Sequence, residues 1–175
     1  MDVDLPIIYL SVLVGLLIAA GIFLFRQVLK TRRVESTLSR LENKLTNQKG
    51  TAKDYYELGS IYLDKRLYAK SITLFKKALK SKDLGDEENR ALVQNALGFT
   101  YASQEQYDLA IRQYKEALEG LPDYPTALNN LGFAYEKKQL TAQALEAYEQ
   151  ALAIDPQNAT AKRRADSLRK RLVPS

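Results

Sequence analysis

The chain has 175 residues, with 26 Lys and Arg against 21 Asp and Glu, and it contains no Cys, His or Trp. This composition excludes thiol nucleophiles, thiolate or imidazole metal sites and the usual neutral-pH general base. No acidic cluster has the spacing of a calcium or magnesium loop. We therefore expect no enzyme, no catalytic residue, no metal and no cofactor. The length suits one anchor and one modest folded domain.

The net charge of +5 is concentrated in two segments of the chain. Residues 26–33 carry four positive charges, and residues 162–171 carry six against Asp166. Residues 34–161 hold 16 positive and 18 negative charges, so the middle of the chain is nearly neutral. The C-terminal basic set is expected to be a solvated helix face, or else a contact for an acidic client. It lacks the interleaved aromatic residues of a nucleic-acid surface, so we expect no nucleic-acid partner.

A transmembrane helix is predicted at residues 7–25, after a short N-terminal tail at residues 1–6. These 19 residues carry no charge, and at 1.5 Å per residue they span about 28 Å, enough for a bilayer core. Asp2 and Asp4 precede the segment and the basic run at 26–33 follows it. This order is opposite to that of a cleavable signal peptide. The positive-inside rule leaves the C-terminal side in the cytoplasm or its organellar equivalent.

A connecting helix is predicted at residues 26–50, basic at first and then amphipathic, ending at Gly50. Its apolar residues follow a heptad-like spacing at Val34, Leu38, Leu41 and Leu45. Two heptads are too few for a stable isolated coiled coil. The stripe therefore requires a cover, and packing on the chain's own folded domain is favoured over packing on a partner.

An internal repeat follows, marked by LGSIY at 58–62, LGFTY at 97–101 and LGFAY at 131–135. The second and third motifs lie 34 residues apart, and the same apolar pattern and a proline follow each of them. The predicted repeats lie at residues 52–85, 91–124 and 125–158. A capping helix is predicted at 159–172, and its apolar face would hold Ala161, Ala165, Leu168 and Leu172. Each motif glycine is expected where two antiparallel helices press together, opposite Ala110 in repeat two and Ala144 in repeat three.

Repeat one departs from this pattern and is followed by five extra residues near 81–90. This stretch is polar and contains four acidic residues, Asp83, Asp86, Glu87 and Glu88. It predicts either a longer solvated loop, which is favoured, or an extended start to the next helix.

The 34-residue pattern resembles the tetratricopeptide repeat (TPR), a stacked pair of antiparallel helices. The predicted fold is therefore all-α: a transmembrane helix, then a TPR helical-hairpin solenoid with a C-terminal capping helix. This architecture over the whole chain resembles the photosystem I assembly TPR proteins of cyanobacteria and plastids. The resemblance implies a thylakoid protein without pigment that assists photosystem I assembly or stability. It also implies repeats on the cytoplasmic or stromal side, with membrane lipid and photosystem I subunits or assembly intermediates as partners.

The alternative is a bacterial inner-membrane TPR adaptor in envelope biogenesis or protein quality control. A receptor for heat-shock chaperone tails is disfavoured, because Tyr56 and Ser60 stand where such receptors need Lys and Asn to clamp a carboxylate.

A partner-binding groove is predicted on the first helix of each repeat, which lines the concave side of a stacked array. Its residues are those two before and two after each motif leucine, extended onto the capping helix: Tyr56, Ser60, Asn95, Phe99, Asn129, Phe133 and Arg163. Phe99 and Phe133 would form an exposed apolar patch, and the two Asn amides would bond a peptide backbone. The alternative is that the stripe at 34–45 covers these rings.

Overall fold

The computed structural model describes residues 4–172 of the chain, and every element in this range is an α-helix. In chain order the helices are α1 (Asp4–Asn47), α2 (Ala52–Asp64), α3 (Tyr68–Leu79), α4 (Glu87–Ala102), α5 (Tyr107–Gly120), α6 (Pro125–Lys137), α7 (Thr141–Ile154) and α8 (Ala159–Leu172). The chain divides into two compact units, residues 1–47 and 48–175. The all-α class predicted from the sequence is confirmed.

Unit one is the single helix α1, which has 44 residues and a length of about 66 Å. From Ile7 onward its leading segment is exposed and apolar, and α1 is long and apolar enough to cross a membrane. Residues 4–6 of the predicted N-terminal tail are helical, whereas residues 1–3 lie outside the described part of the chain. The helix ends at Asn47, three residues before the predicted end at Gly50.

Unit two is a stack in which each helix packs on the next, from α2 to α8. The helices form three antiparallel pairs, α2–α3, α4–α5 and α6–α7. The first helices of these pairs also contact one another, α2 with α4 and α4 with α6, so they lie side by side along one surface. A continuous core of Ala, Leu, Tyr and Phe side chains runs through the stack.

The motif glycines allow the two helices of each pair to approach closely. A Cβ at Gly98 would lie 2.7 Å from the ring of Tyr114, and one at Gly132 would lie 2.8 Å from the ring of Tyr148. The sequence placed Ala110 and Ala144 opposite these glycines. Both alanines are fully buried, and the Ala110 carbonyl oxygen lies 3.2 Å from a Cβ at Gly98, but the nearest atoms belong to the tyrosine rings of the following turn. Glycine is therefore required because an aromatic ring occupies the space of its side chain.

The turn between the two helices of each repeat has the same backbone. One non-glycine residue adopts a left-handed conformation in each, with φ of 59° at Arg66, 59° at Glu105 and 60° at Gln139. The next amide then donates to the carbonyl of the motif tyrosine, as in Gln106 N to Tyr101 O at 3.0 Å and Leu140 N to Tyr135 O at 2.9 Å. A left-handed residue followed by such a bond is a common way to end a helix.

Residues 81–86 of the acidic stretch after repeat one lie outside any helix, as the favoured loop predicted, whereas residues 87–90 begin α4. Asp86 is the N-cap of α4, and its side chain accepts from the amide of Asn89 at 2.9 Å. Glu87 and Glu88 form the first turn of the helix. Carboxylates are stabilised there because the N-terminal end of a helix is electropositive.

Helix α8 covers the last pair by packing on α7. It buries Ala161, Ala165 and Leu168, while Leu172, predicted on the same face, is 46% exposed. Leu172 is the last residue of α8.

Candidate functional site

The surface formed by α2, α4 and α6 carries six of the seven predicted groove residues, and Arg163 on α8 is the seventh. Two clefts indent unit two along these helices. The first cleft has a volume of about 310 Å³ and is lined by Phe99, Phe133, Tyr114, Asn130 and Lys137, among others. The second, of about 370 Å³, is lined by Tyr56, Lys53, Leu84, Leu92 and Val93, among others.

The first cleft brings together the two phenylalanines predicted from the sequence. Phe99 is 47% exposed. Phe133 is half-buried, and the Nζ of Lys137 lies over its ring at 5.4 Å from the centroid. The predicted apolar patch therefore has one open ring and one ring under an ammonium group. The cleft combines an apolar floor with two charged groups, the ammonium of Lys137 and the carboxylate of Glu105.

Tyr114 adds a hydroxyl group to this cleft. The residue is 1% exposed, and its hydroxyl makes no hydrogen bond with any residue in the range 4–172. Burial raises the pKa of Tyr114 well above its ordinary value. The hydroxyl is therefore a neutral hydrogen-bond donor that a molecule in the cleft can use.

The equivalent tyrosine of the third repeat is already satisfied. The Tyr148 hydroxyl donates to Glu136 at 2.7 Å, and Glu136 also lies 3.5 Å from Arg164. In the second repeat the residue 34 positions before Glu136 is Ala102, which offers no acceptor. The difference between Glu136 and Ala102 thus decides whether the buried tyrosine hydroxyl has a hydrogen-bond acceptor in its own repeat.

The two asparagines of the predicted groove also differ in whether their side chains have hydrogen-bond partners. The amide nitrogen of Asn95 donates to the Tyr124 hydroxyl at 3.2 Å, and its oxygen accepts from Asn130 at 3.0 Å. Asn95 is thus engaged in holding α4 against α6, and the expectation of an amide free for a peptide backbone is corrected. Asn129 has no side-chain hydrogen bond within the described residues, and its Oδ1 is buried.

The remaining predicted residues are dispersed. Tyr56 lines the second cleft, where its ring packs on Phe75 with centroids 5.7 Å apart. The Ser60 hydroxyl donates to the backbone oxygen of Tyr56 at 2.9 Å, and Arg163 is exposed on α8. Ser60, Asn95, Asn129 and Arg163 line neither cleft.

Several cleft residues were absent from the sequence prediction. Leu92 is 37% exposed in the second cleft, and Lys137, Asn130 and Ser103 line the first. The helical period could have found two of them, because Leu92 lies three residues before Asn95 and Lys137 lies four after Phe133. Within residues 4–172 no group of three or more acidic side chains is placed to hold a metal ion.

The chain matches known protein families along its repeats. Tetratricopeptide-repeat models match residues 52–88 and 125–158, and a TPR-repeat model matches residues 98–139. A solved TPR structure, the first TPR of Spaghetti (RPAP3) bound to an HSP90 peptide SRMEEVD, superposes with a TM-score of 0.64 at 19% identity. It covers 70% of this chain and 93% of that one. The chain is a tetratricopeptide-repeat protein, and such proteins are scaffolds for protein interaction.

Two relatives define the family more closely. The chain is 40% identical to the ycf37 protein of Cyanophora paradoxa over 158 residues, covering 90% of each. It is 34% identical over 171 residues to the chloroplastic tetratricopeptide repeat domain-containing protein PYG7 of Arabidopsis thaliana, covering 98% of this chain and 56% of that protein. The chain belongs to the ycf37 family of TPR proteins, as the sequence resemblance predicted.

Proposed function

We propose that this protein is a membrane-anchored scaffold that binds protein clients along α2, α4 and α6, and that its clients are subunits or assembly intermediates of photosystem I. It acts by binding and catalyses no reaction. The carrying observation is the first cleft, where Phe99 is 47% exposed beside Phe133. An aromatic ring held open by a rigid helix pair is a typical anchor for a partner side chain.

The chemistry of the cleft defines the kind of client segment. An apolar side chain of the client lies against Phe99 and Phe133. A carbonyl or carboxylate of the client accepts from the Tyr114 hydroxyl and faces Lys137, both of which line the same cleft. These groups are held by helices, so little conformational entropy is lost when the client binds.

The photosystem I assignment is supported by the family. The relative in Arabidopsis thaliana is a chloroplast protein, and the other in Cyanophora paradoxa has the same length range as this chain. The architecture of one apolar helix followed by three repeats is that of the photosystem I assembly proteins which the sequence resembles.

Anchoring in the thylakoid membrane is supported by α1. This helix is long and apolar enough to cross a membrane, and four exposed cations follow its apolar segment: Arg26, Lys30, Arg32 and Arg33. Each such cation gains about 1 kcal/mol beside anionic headgroups. The repeats then face the cytoplasm or stroma, and protease added to that side of intact membranes should digest them.

The direct test is the double variant Phe99→Ser with Phe133→Ser. It removes the apolar floor of the cleft and leaves the packing of Gly98 and Gly132 unchanged. We expect recovery of photosystem I subunits from cross-linked membranes to fall at least about tenfold, while the helical circular dichroism signal and the urea midpoint stay close to the parent values.

The matched control is Leu109→Ser with Ile154→Ser. These residues are 38% and 39% exposed and lie on α5 and α7, outside the groove helices. The control should retain client recovery. A large loss of stability in the Phe99 and Phe133 variant with client recovery unchanged would make the groove structural and contradict the proposal.

A further inference from the structure

Repeat one carries a dense positive charge outside the groove. Residues 65–82 contain seven Lys and Arg and no Asp or Glu. All seven cations are exposed, and we name six of them the α3 basic surface: Arg66, Lys70, Lys76, Lys77, Lys80 and Lys82. Lys70, Lys77 and Lys80 are spaced by seven and three residues, which places them on one face of α3. That face is opposite to the buried Phe75.

The cations of this surface lack carboxylate partners, unlike those of the later repeats. None of the six lies within ion-pair distance of an Asp or Glu among the described residues. Lys138, by contrast, lies 2.9 Å from Asp108, and Arg169 lies 2.8 Å from Glu149. The charge of the α3 basic surface is therefore not neutralised by ion pairs within the described residues.

Helix stabilisation accounts for part of this charge. Lys76 and Lys77 lie in the last turn of α3, where positive charge complements the helix dipole. Lys70 lies in the first turn of α3 and Arg66 lies just before it, where positive charge opposes the dipole. Helix α3 has no acidic residue in its first turn. The positive charge at the N-terminal end of α3 therefore lowers the stability of the fold, and helix stabilisation does not explain its presence there.

A cleft of about 520 Å³ opens at the end of this surface. Four lysines line it, Lys49, Lys77, Lys80 and Lys82, with Tyr55 and Asp83 among the other lining residues. Asp83 is already engaged, because its carboxylate accepts from the amide of Ala52 at 3.2 Å. A hydrogen bond from Ser81 holds the pKa of Asp83 below its ordinary value. A cleft of this volume admits several side chains of a partner.

Three cations of the surface are held by aromatic rings. The Nζ of Lys70 lies 5.0 Å from the ring centroid of Tyr62, that of Lys76 lies 5.8 Å from Tyr101, and that of Lys77 lies 5.8 Å from Tyr55. Cation–π contacts at these distances restrict the side chains. Of these three lysines Lys77 lines the cleft, together with its ring partner Tyr55. An ammonium group fixed in a cleft suits a carboxylate presented on a chain, whereas a flat and fluid bilayer cannot enter a cleft.

From the unpaired charge, the cleft and the ring contacts, we infer that the α3 basic surface binds an acidic segment of a partner protein, with its Asp and Glu side chains between Lys77, Lys80 and Lys82. This second binding surface is separate from the Phe99 and Phe133 cleft. A client could therefore be held at two places, or two partners could be bound together.

The test uses the full chain in nanodiscs of neutral phosphatidylcholine and a fluorescent oligoglutamate peptide, titrated by anisotropy at about 0.05 M salt. The triple variant Lys77→Gln, Lys80→Gln, Lys82→Gln should weaken binding about tenfold, since it removes three exposed charge contacts. These lysines are exposed, so the urea midpoint should stay close to that of the parent.

The matched control removes the same charge from the capping helix by Lys162→Gln, Lys170→Gln and Arg171→Gln. It should change peptide affinity by less than about twofold. The Phe99→Ser and Phe133→Ser variant should bind the peptide like the parent, which separates this inference from the proposed groove.

Two results would overturn the inference. Equal weakening by both triple variants would mean that the peptide responds to net charge alone. If the α3 variant lost binding to vesicles containing phosphatidylglycerol but kept its affinity for the peptide, the surface would be assigned to lipid.

Discussion

The second and third repeats share a packing scheme and differ in their polar groups. Gly98 and Gly132 each lie under a tyrosine ring, at 2.7 and 2.8 Å for an added Cβ. In the third repeat the tyrosine hydroxyl bonds Glu136. In the second repeat Ala102 replaces the carboxylate, and the Tyr114 hydroxyl is left for the cleft. The repeated positions therefore determine the packing, and the positions that vary between repeats determine what the groove offers to a partner.

The largest expected effect on the free energy of unfolding comes from variants that disrupt the packing shared by the two repeats. Gly98→Val should destabilise the protein by about 3 kcal/mol, because Tyr114 is buried and cannot move away from the added methyl groups. Gly132→Val should cost a similar amount against Tyr148. Urea unfolding of the full chain in detergent, followed by circular dichroism, measures both.

Ala153→Val is the control for these variants, since Ala153 is exposed on α7 and the change adds only the weaker helix propensity of valine. Its cost should stay below about 1 kcal/mol. If Gly98→Val cost no more than this control, the tight approach of α4 and α5 would be contradicted.

The next effect distinguishes the two tyrosines. Tyr148→Phe removes a hydrogen bond to a carboxylate and should cost about 1.5 kcal/mol. Tyr114→Phe removes a hydroxyl that has no partner within the described residues and should leave the free energy of unfolding within about 0.5 kcal/mol of the parent. Equal costs in the same urea experiment would show that the two hydroxyls have equivalent surroundings.

Alkaline pH gives a smaller effect with a defined sign. Burial raises the pKa of Tyr114 and of Tyr148 in the folded protein, and Glu136 raises that of Tyr148 further. These groups therefore leave the free energy of unfolding unchanged below the unfolded pKa of about 10. Above it they lower that free energy, because the tyrosines ionise more readily in the unfolded chain. Tyr114→Phe should remove about 1 kcal/mol of the stability lost between about pH 10 and 11. An unchanged pH profile would mean that Tyr114 ionises normally in the fold.

The fold could be predicted from the sequence because its determinants repeat. The LGxxY motif, the later alanines and the prolines recur at 34 residues, and the hairpin they imply is a local structure. Phe99 and Phe133 were identified for the same reason, since a regular helix fixes which of its positions share a face.

The groove's polar contacts could not be predicted because they join residues with no motif relation. The bonds from Asn95 to Tyr124 and Asn130 span 29 and 35 positions, and they depend on the spacing between α4 and α6. The basic residues of the α3 surface are visible in the sequence, but a sum of charges over residues 34–161 hides them because it is nearly zero. The cleft beside this surface could not be predicted, because it depends on the positions of Lys49 and Lys82 in the folded chain.

The central claim is that the cleft at Phe99 holds a client, and site-specific photocross-linking in membranes tests it most directly. A photoreactive phenylalanine analogue at position 99 or 133 should form adducts that mass spectrometry identifies as photosystem I subunits. The same analogue at Gln143, exposed on α7 outside the groove helices, should form none. Absence of such adducts at 99 and 133, or equal adducts from 143, would contradict the assignment of the groove.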